Sequence, residues 1–232
     1  VIHLARYRLD DEIRCPTVAD GGLSPLVGSY ASTADLIRDG ADDWRSAVER
    51  PAQLPTRSVE LLSPVTTPCR VLCQGANYRQ HAIESGMDPE RALNLFFDKT
   101  DAAVTGPDTP VTRPAHVRLL DHEIELALVL RKQVTQPETV TPELHEYVFG
   151  ITIANDVSAR DVQLPQGQYL KGKSYRGFCP AGPYLAVPEP GEFPLLDDLE
   201  LRLEVNGELR QHDSTRNLRY RPAETLTELT TF

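Results

Sequence analysis

Between Leu119 and Leu130 the chain reads LLDHEIELALVL, and this alternation constrains the fold more than any other feature. Apolar residues at every second position suit a strand whose side chains point by turns to two faces. Such a strand sets Glu123, Glu125, Ala127 and Val129 on one face and Ile124, Leu126, Leu128 and Leu130 on the other. Both carboxylates then point the same way. Beside apolar neighbours, two like charges are costly unless a cation, a proton or a basic partner compensates them. The ordinary alternative is an edge strand whose polar face is solvated. A second run, FGITIAND, stays almost wholly apolar up to Asn155, and as a strand it delivers a third carboxylate, Asp156, at its end. Three oxygen ligands suit Mg²⁺ or Mn²⁺ rather than zinc, and leave octahedral positions for water and a chelating substrate. Glu123, Glu125 and Asp156 are therefore the candidate metal ligands.

Around this feature the chain reads as a mainly β, α+β fold. Val148 to Ala154 is nearly all apolar, and Tyr184 to Val187 is a short run flanked by prolines. The segment LELRLEVNGELRQ is a hairpin, because Asn206-Gly207 supplies the two positive-φ residues of a tight type I′ turn. One helix is expected to open at Thr141-Pro142 and another to cover the last residues. In front of this core, residues 1–65 read as a small polar unit with turn signals at Asp20-Gly21-Gly22. It carries a short helix from Ser32 or Thr33 to Gly40 and a second around Trp44. The Pro-punctuated stretch from Pro51 to Pro68 places a boundary near residue 65, with residues 66–232 as the catalytic part.

Composition narrows the partners. With 34 Asp and Glu against 24 Lys and Arg, a net charge of −10 repels phosphate backbones and anionic lipid heads, so neither nucleic acid nor membrane is an expected partner. No stretch approaches the roughly 18 uninterrupted apolar residues of a membrane span. The N-terminus has no basic region followed by an apolar run, and the expected setting is cytoplasmic. Cys15, Cys69, Cys73 and Cys179 lack CxxC or zinc-like spacing and read as buried free thiols. An apolar pattern begun near Ala223 runs uncapped to Phe232, so the polypeptide is expected to continue.

Five segments in order, CQGANYRQHAIE, FFDK, LDHEIELALVL, NDVSARDVQ and KGKSYRGFCPAGPYL, resemble the fumarylacetoacetate hydrolase family over roughly residues 69 to 187. The resemblance implies a mixed β roll behind a small N-terminal α/β domain, a homodimer, and Mg²⁺ or Mn²⁺ held by Glu123, Glu125 and Asp156. His81 and Glu84 stand three apart, so one helical turn puts them on the same face, where Glu84 orients the imidazole. The family uses such a pair to activate water; the ordinary reading is an incidental surface ion pair. Lys173 matches the family lysine that faces negative charge on the substrate, with Lys171 expected to share its strand face. Arg160, Gln163 and Lys99 match positions that contact substrate, and an Arg fork suits a carboxylate. Ser85 to Asn94 reads as a mobile segment that closes over the site.

The chemistry implied begins with a metal-chelated 2-oxo acid whose enolate is stabilised by the ion and Lys173. Carbon-carbon hydrolysis of a small β-diketo acid, acylpyruvate or fumarylacetoacetate-like, is the expected reaction, as His81, Glu84 and Lys173 are all present. Oxaloacetate decarboxylation, or isomerisation of a dienedioate in aromatic catabolism, needs nearly the same residues. A third reading is an inactive metal-binding homologue, since the Thr-Gly-Thr-Pro-like segment that closes the family's pocket does not occur before Phe232.

Overall fold

The alternating segment folds as two strands rather than the single one expected between Leu119 and Leu130. Leu120–Asp121 pairs antiparallel with Ser158–Ala159, and Ile124–Leu130 pairs antiparallel with Val148–Asn155. His122 and Glu123 lie between them. There the Glu123 N–H turns to the Asn155 side-chain oxygen at 3.0 Å, while the Glu123 carbonyl still accepts the Asp156 N–H at 2.8 Å. A local side-chain acceptor has competed with the ladder, as Asn commonly does. The computed structural model describes residues 1–26, 30–39, 54–84, 86, 88, 94–134 and 143–232.

One seven-stranded sheet organises the molecule. Its order is Ile124–Leu130, Val148–Asn155, Leu185–Val187, Ile2–Leu4, Thr17–Ala19, Gly22–Ser24 and Leu54–Pro55. Its pairings are antiparallel, with Ile2 opposite Val187 and Ile151 opposite Ala186. The sheet thus draws strands from both sides of the boundary expected near residue 65. Small ribbons complete the β content, among them Val71–Gly75 with Leu95–Lys99.

The hairpin forms as its turn chemistry requires. Glu200–Val205 pairs with Glu208–Ser214, and Asn206 and Gly207 hold φ of 54° and 81°. Helices are few and short. Thr33–Asp39 begins where Ser32 caps it, the Ser32 Oγ accepting the Asp35 N–H at 3.0 Å. Pro222–Leu229 opens with Pro at its first position, as expected for the end of the chain. The helix expected around Trp44, the start at Thr141-Pro142 and most of Ser85 to Asn94 lie outside the described residues. Among the described residues no helix is long and apolar enough to cross a membrane.

Apolar side chains gather in separate clusters rather than one centre. Leu4, Leu36, Phe149, Leu185 and Val187 pack around the middle of the sheet. A second cluster, with Val117, Val157, Ala159 and Phe178 buried, lies directly behind the end of the Val148–Asn155 strand. That packing fixes the backbone from which Asp156 and Ser158 project.

Candidate active site

Register decides which side chains meet. Glu125 lies opposite Ala154 and Glu123 bonds Asp156 across the ladder, so all three carboxylates belong to one face. The Ile124–Leu130 strand is at the sheet edge, as the ordinary reading has it, yet its acidic face is not solvated. Glu123 and Asp156 are buried, and Glu125 is partly so.

Three cationic side chains close over this face. Lys173 donates from Nζ to Glu123 Oε2 at 2.6 Å and also to Asp156 Oδ2, bridging the two carboxylates. Lys99 donates to Asp156 Oδ1 at 2.5 Å and to the Val157 carbonyl at 3.2 Å. Arg160 reaches Glu123 Oε1 from Nη2 at 2.5 Å, Asp121 Oδ2 from Nε at 2.9 Å and Gln163 Oε1 from Nη1 at 3.0 Å. Ser158, fully buried, donates its hydroxyl to Glu123 Oε2 at 3.0 Å. Among the described residues no hydrogen bond reaches the Glu125 carboxyl.

The charges follow from this inventory. Burial opposes ionisation of Glu123, but the Lys173 ammonium and Arg160 guanidinium outweigh it and hold the carboxyl down at about 2. Glu125 has burial working against its charge and Asp156 and Glu123 repelling it, so its carboxyl is pushed up to about 8. Burial also works against the Lys173 ammonium, but Asp156 and Glu123 more than offset this and raise its pKa.

Local folding explains the cations' positions. Lys173 ends a four-residue helix, Leu170–Lys173, rather than lying on a strand, so Lys171 two positions away points elsewhere and is exposed. That helix packs against Arg160–Gln166 at Gly172, where an added Cβ would sit 2.7 Å from the Gln163 backbone nitrogen. Glycine is what permits the approach. Lys99 closes the Leu95–Lys99 strand with its side chain 0% exposed and its ammonium on Asp156. Phe97, two residues earlier, lies under Lys173 with its ring centre 4.9 Å from Nζ, and Tyr169 meets its edge.

His81 lies on the helix Arg79–Glu84, its Nε2 3.8 Å from Glu123 Oε1 and its side chain 41% exposed. Glu84 follows one turn later, and its side chain lies outside the described residues. Sequence reading missed Asp121, Ser158 and Phe97. Asp121 and Ser158 stand two residues from Glu123 and Asp156, so same-face periodicity was the available signal; nothing marked Phe97. His122 Nδ1 lies 3.4 Å from Asp121 Oδ1, and its Nε2 is buried without a partner among the described residues. His116 Nε2 sits 2.8 Å from the Tyr175 hydroxyl, and the Tyr175 ring packs on Phe178.

Among the described residues, no three His, Cys, Asp or Glu side chains are spaced to grip one ion as they stand, because Lys173 lies between two of the three carboxylates. The donor set nevertheless fits a hard cation. It is all oxygen, its members share one face, and among the described residues no donor satisfies the Glu125 carboxyl.

Fold and site together define a mainly β, α+β protein with an acidic, lysine-bridged cluster at the edge of its sheet. Residues 70–232 match the family model described as fumarylacetoacetate (FAA) hydrolase C-terminal, and the chain belongs to the fumarylacetoacetate hydrolase family. A mitochondrial oxaloacetate tautomerase of Bos taurus is 35% identical over 181 residues, covering 77% of this chain and 56% of that protein. The chain thus spans little more than half the length of the curated relatives it matches. Among solved structures, a fumarylacetoacetate hydrolase from psychrophilic Exiguobacterium antarcticum superposes with a TM-score of 0.83 at 31% identity, covering 99% of this chain and 81% of that one. The 2-hydroxyhepta-2,4-diene-1,7-dioate isomerase of Mycobacterium marinum superposes with a TM-score of 0.75 at 25% identity, covering 99% and 81%.

Proposed function

We propose that this protein acts on a small 2-oxo acid by moving a proton at the carbon beside the oxo group, with Mg²⁺ or Mn²⁺ held by Glu123, Glu125 and Asp156. The observation that carries this reading is that one buried carboxylate, Glu123, is met by an ammonium, a guanidinium and a nearby imidazole together. When bound, the cation supplies Lewis-acid polarisation of the two neighbouring substrate oxygens.

The chain's own residues supply the rest. Lys173 spends two N–H donors on Glu123 and Asp156, which leaves a third for the oxyanion that develops as the proton leaves. His81, half-exposed at the rim, is the base that takes the proton. Arg160 uses three of its five N–H donors on Asp121, Glu123 and Gln163, and the second Nη1–H meets the substrate carboxylate. Gln163, itself buried, fixes that nitrogen. Lys99 anchors Asp156.

Relatives named oxaloacetate tautomerase and dienedioate isomerase favour tautomerisation or isomerisation as the outcome. Carbon-carbon hydrolysis is the second reading, favoured by the likeness to the Exiguobacterium hydrolase, and it asks more of the site because water must be activated as well. A homodimer, as the family implies, belongs to the same proposal. The test is to incubate the purified protein with Mg²⁺ and either oxaloacetate or acetylpyruvate. Faster loss of enol absorbance from oxaloacetate without carbon dioxide release marks tautomerisation, and carbon dioxide release marks decarboxylation. Acetate and pyruvate from acetylpyruvate mark hydrolysis. No turnover of any 2-oxo acid would overturn the proposal and leave the inactive homologue standing, and turnover undiminished by a chelator would overturn the metal's part in it.

A further inference from the structure

Asp121 is the acidic residue that the proposed chemistry leaves without a task. It stands on Leu120–Asp121, paired with Ser158–Ala159, and the next residue of that partner strand leads into Arg160. The Arg160 N–H bonds the Leu119 carbonyl at 2.9 Å, so the two backbones are locked together where the side chains meet. Asp121 Oδ2 accepts from Arg160 Nε at 2.9 Å and lies 2.8 Å from Nη2. The same Nη2 reaches Glu123 Oε1 at 2.5 Å. One guanidinium edge is thus gripped by Asp121, and its end is pressed on a candidate metal ligand.

The arrangement differs from an ordinary surface ion pair. Exposed pairs contribute little because both partners give up rotamer freedom in water. Here the Arg160 side chain is 18% exposed and Asp121 39%, the contact is two-pronged, and the Arg160 tip is also held by Gln163. A freed Arg160 would swing on its long stem. Its full charge would then fall on Glu123, in competition with any cation that Glu123 is to hold.

We propose that Asp121 is a positioning residue that acts through Arg160: it fixes the guanidinium and shares its charge, so that Glu123 keeps its orientation and its capacity for a divalent cation. This rests on the metal-ligand role given above to Glu123. Groups that orient ligands from behind typically change affinity or activity by about 10- to 100-fold when removed.

The test is a double-mutant cycle read by Mn²⁺ affinity from the free-ion electron paramagnetic resonance signal, with no substrate present. Asp121→Ala should weaken Mn²⁺ binding by about 10-fold or more. The same substitution made in an Arg160→Ala background should change affinity by less than about twofold, because the route of influence is already gone. A loss of equal size in both backgrounds would reveal a plain field effect of one lost anion and overturn the proposal. Unchanged affinity in Asp121→Ala would overturn it too, while wild-type binding would leave the metal reading intact. Failure of the wild-type protein to bind Mn²⁺ would bring down both readings together. Near-ultraviolet circular dichroism of each variant identifies any that has lost the fold. If Asp121→Ala has, Asp121→Leu, which is close in size and offers no acceptor to Nε, takes its place in the cycle with the same expected outcome.

Discussion

Glu125 sits in an environment that opposes its ordinary chemistry. In the folded protein its carboxyl is pushed up to about 8 from an ordinary 4.5, by burial and by Asp156 and Glu123. A raised carboxyl pKa means the folded state binds the proton more tightly than the unfolded one, so this group's contribution to stability is present below about 4.5 and lost as pH rises towards about 8. Glu123 works the other way, its contribution being present above about 4.5 and lost as pH falls towards about 2. Thermal melts in chelator should therefore show Glu125→Gln to be more stable than wild type at pH 8, with the gap closing by pH 5. Equal melting temperatures at pH 8 would contradict the uncompensated charge. The thiols make a second check at this scale. Burial pushes Cys15 and Cys179 up to about 11, so both should resist a thiol reagent at pH 8 until the protein is denatured.

At the scale of elements, the site depends on how closely the helices Arg160–Gln166 and Leu170–Lys173 approach. A methyl at position 172 would meet the Gln163 backbone and force them apart, carrying Lys173 off its two carboxylates. Gly172→Ala is expected to cost about 1–3 kcal/mol of stability by overpacking, and turnover should fall further than stability does, as denaturant midpoints beside initial rates would show. The sequence made some elements legible and hid others for physical reasons. The alternation of Ile124–Leu130 and the Asn206-Gly207 turn carry their conformations in the residues themselves, and both formed where expected. The break at His122–Glu123 depends on a side chain more than thirty positions away, Asn155, and no local pattern announces it. The helix that carries Lys173 is too short to display a period, so a reading by neighbours placed Lys171 and Lys173 on a strand.

For the molecule as a whole, the main sheet joins the N-terminal strand to residues 185–187. Its stability therefore rests on pairings distant in sequence, which raise the loop-closure cost of folding. Leu185 is fully buried where these strands meet, and Leu185→Ala should cost about 2–5 kcal/mol in a denaturant titration. Removing residues 1–65 would strip Ile2–Leu4, Thr17–Ala19, Gly22–Ser24 and Leu54–Pro55 from the sheet. A cooperative unfolding transition in residues 66–232 alone would show that the sheet's other half stands without them; the expected outcome is none.

The bridge made by Lys173 has a bearing on how this cluster would tolerate want of the proposed ion. Many clustered acids fly apart when their counter-ion is withdrawn, but here a tethered ammonium stays behind to neutralise two of them. Starvation for divalent ions should then switch the protein off without dismantling it, and resupply should revive it without refolding.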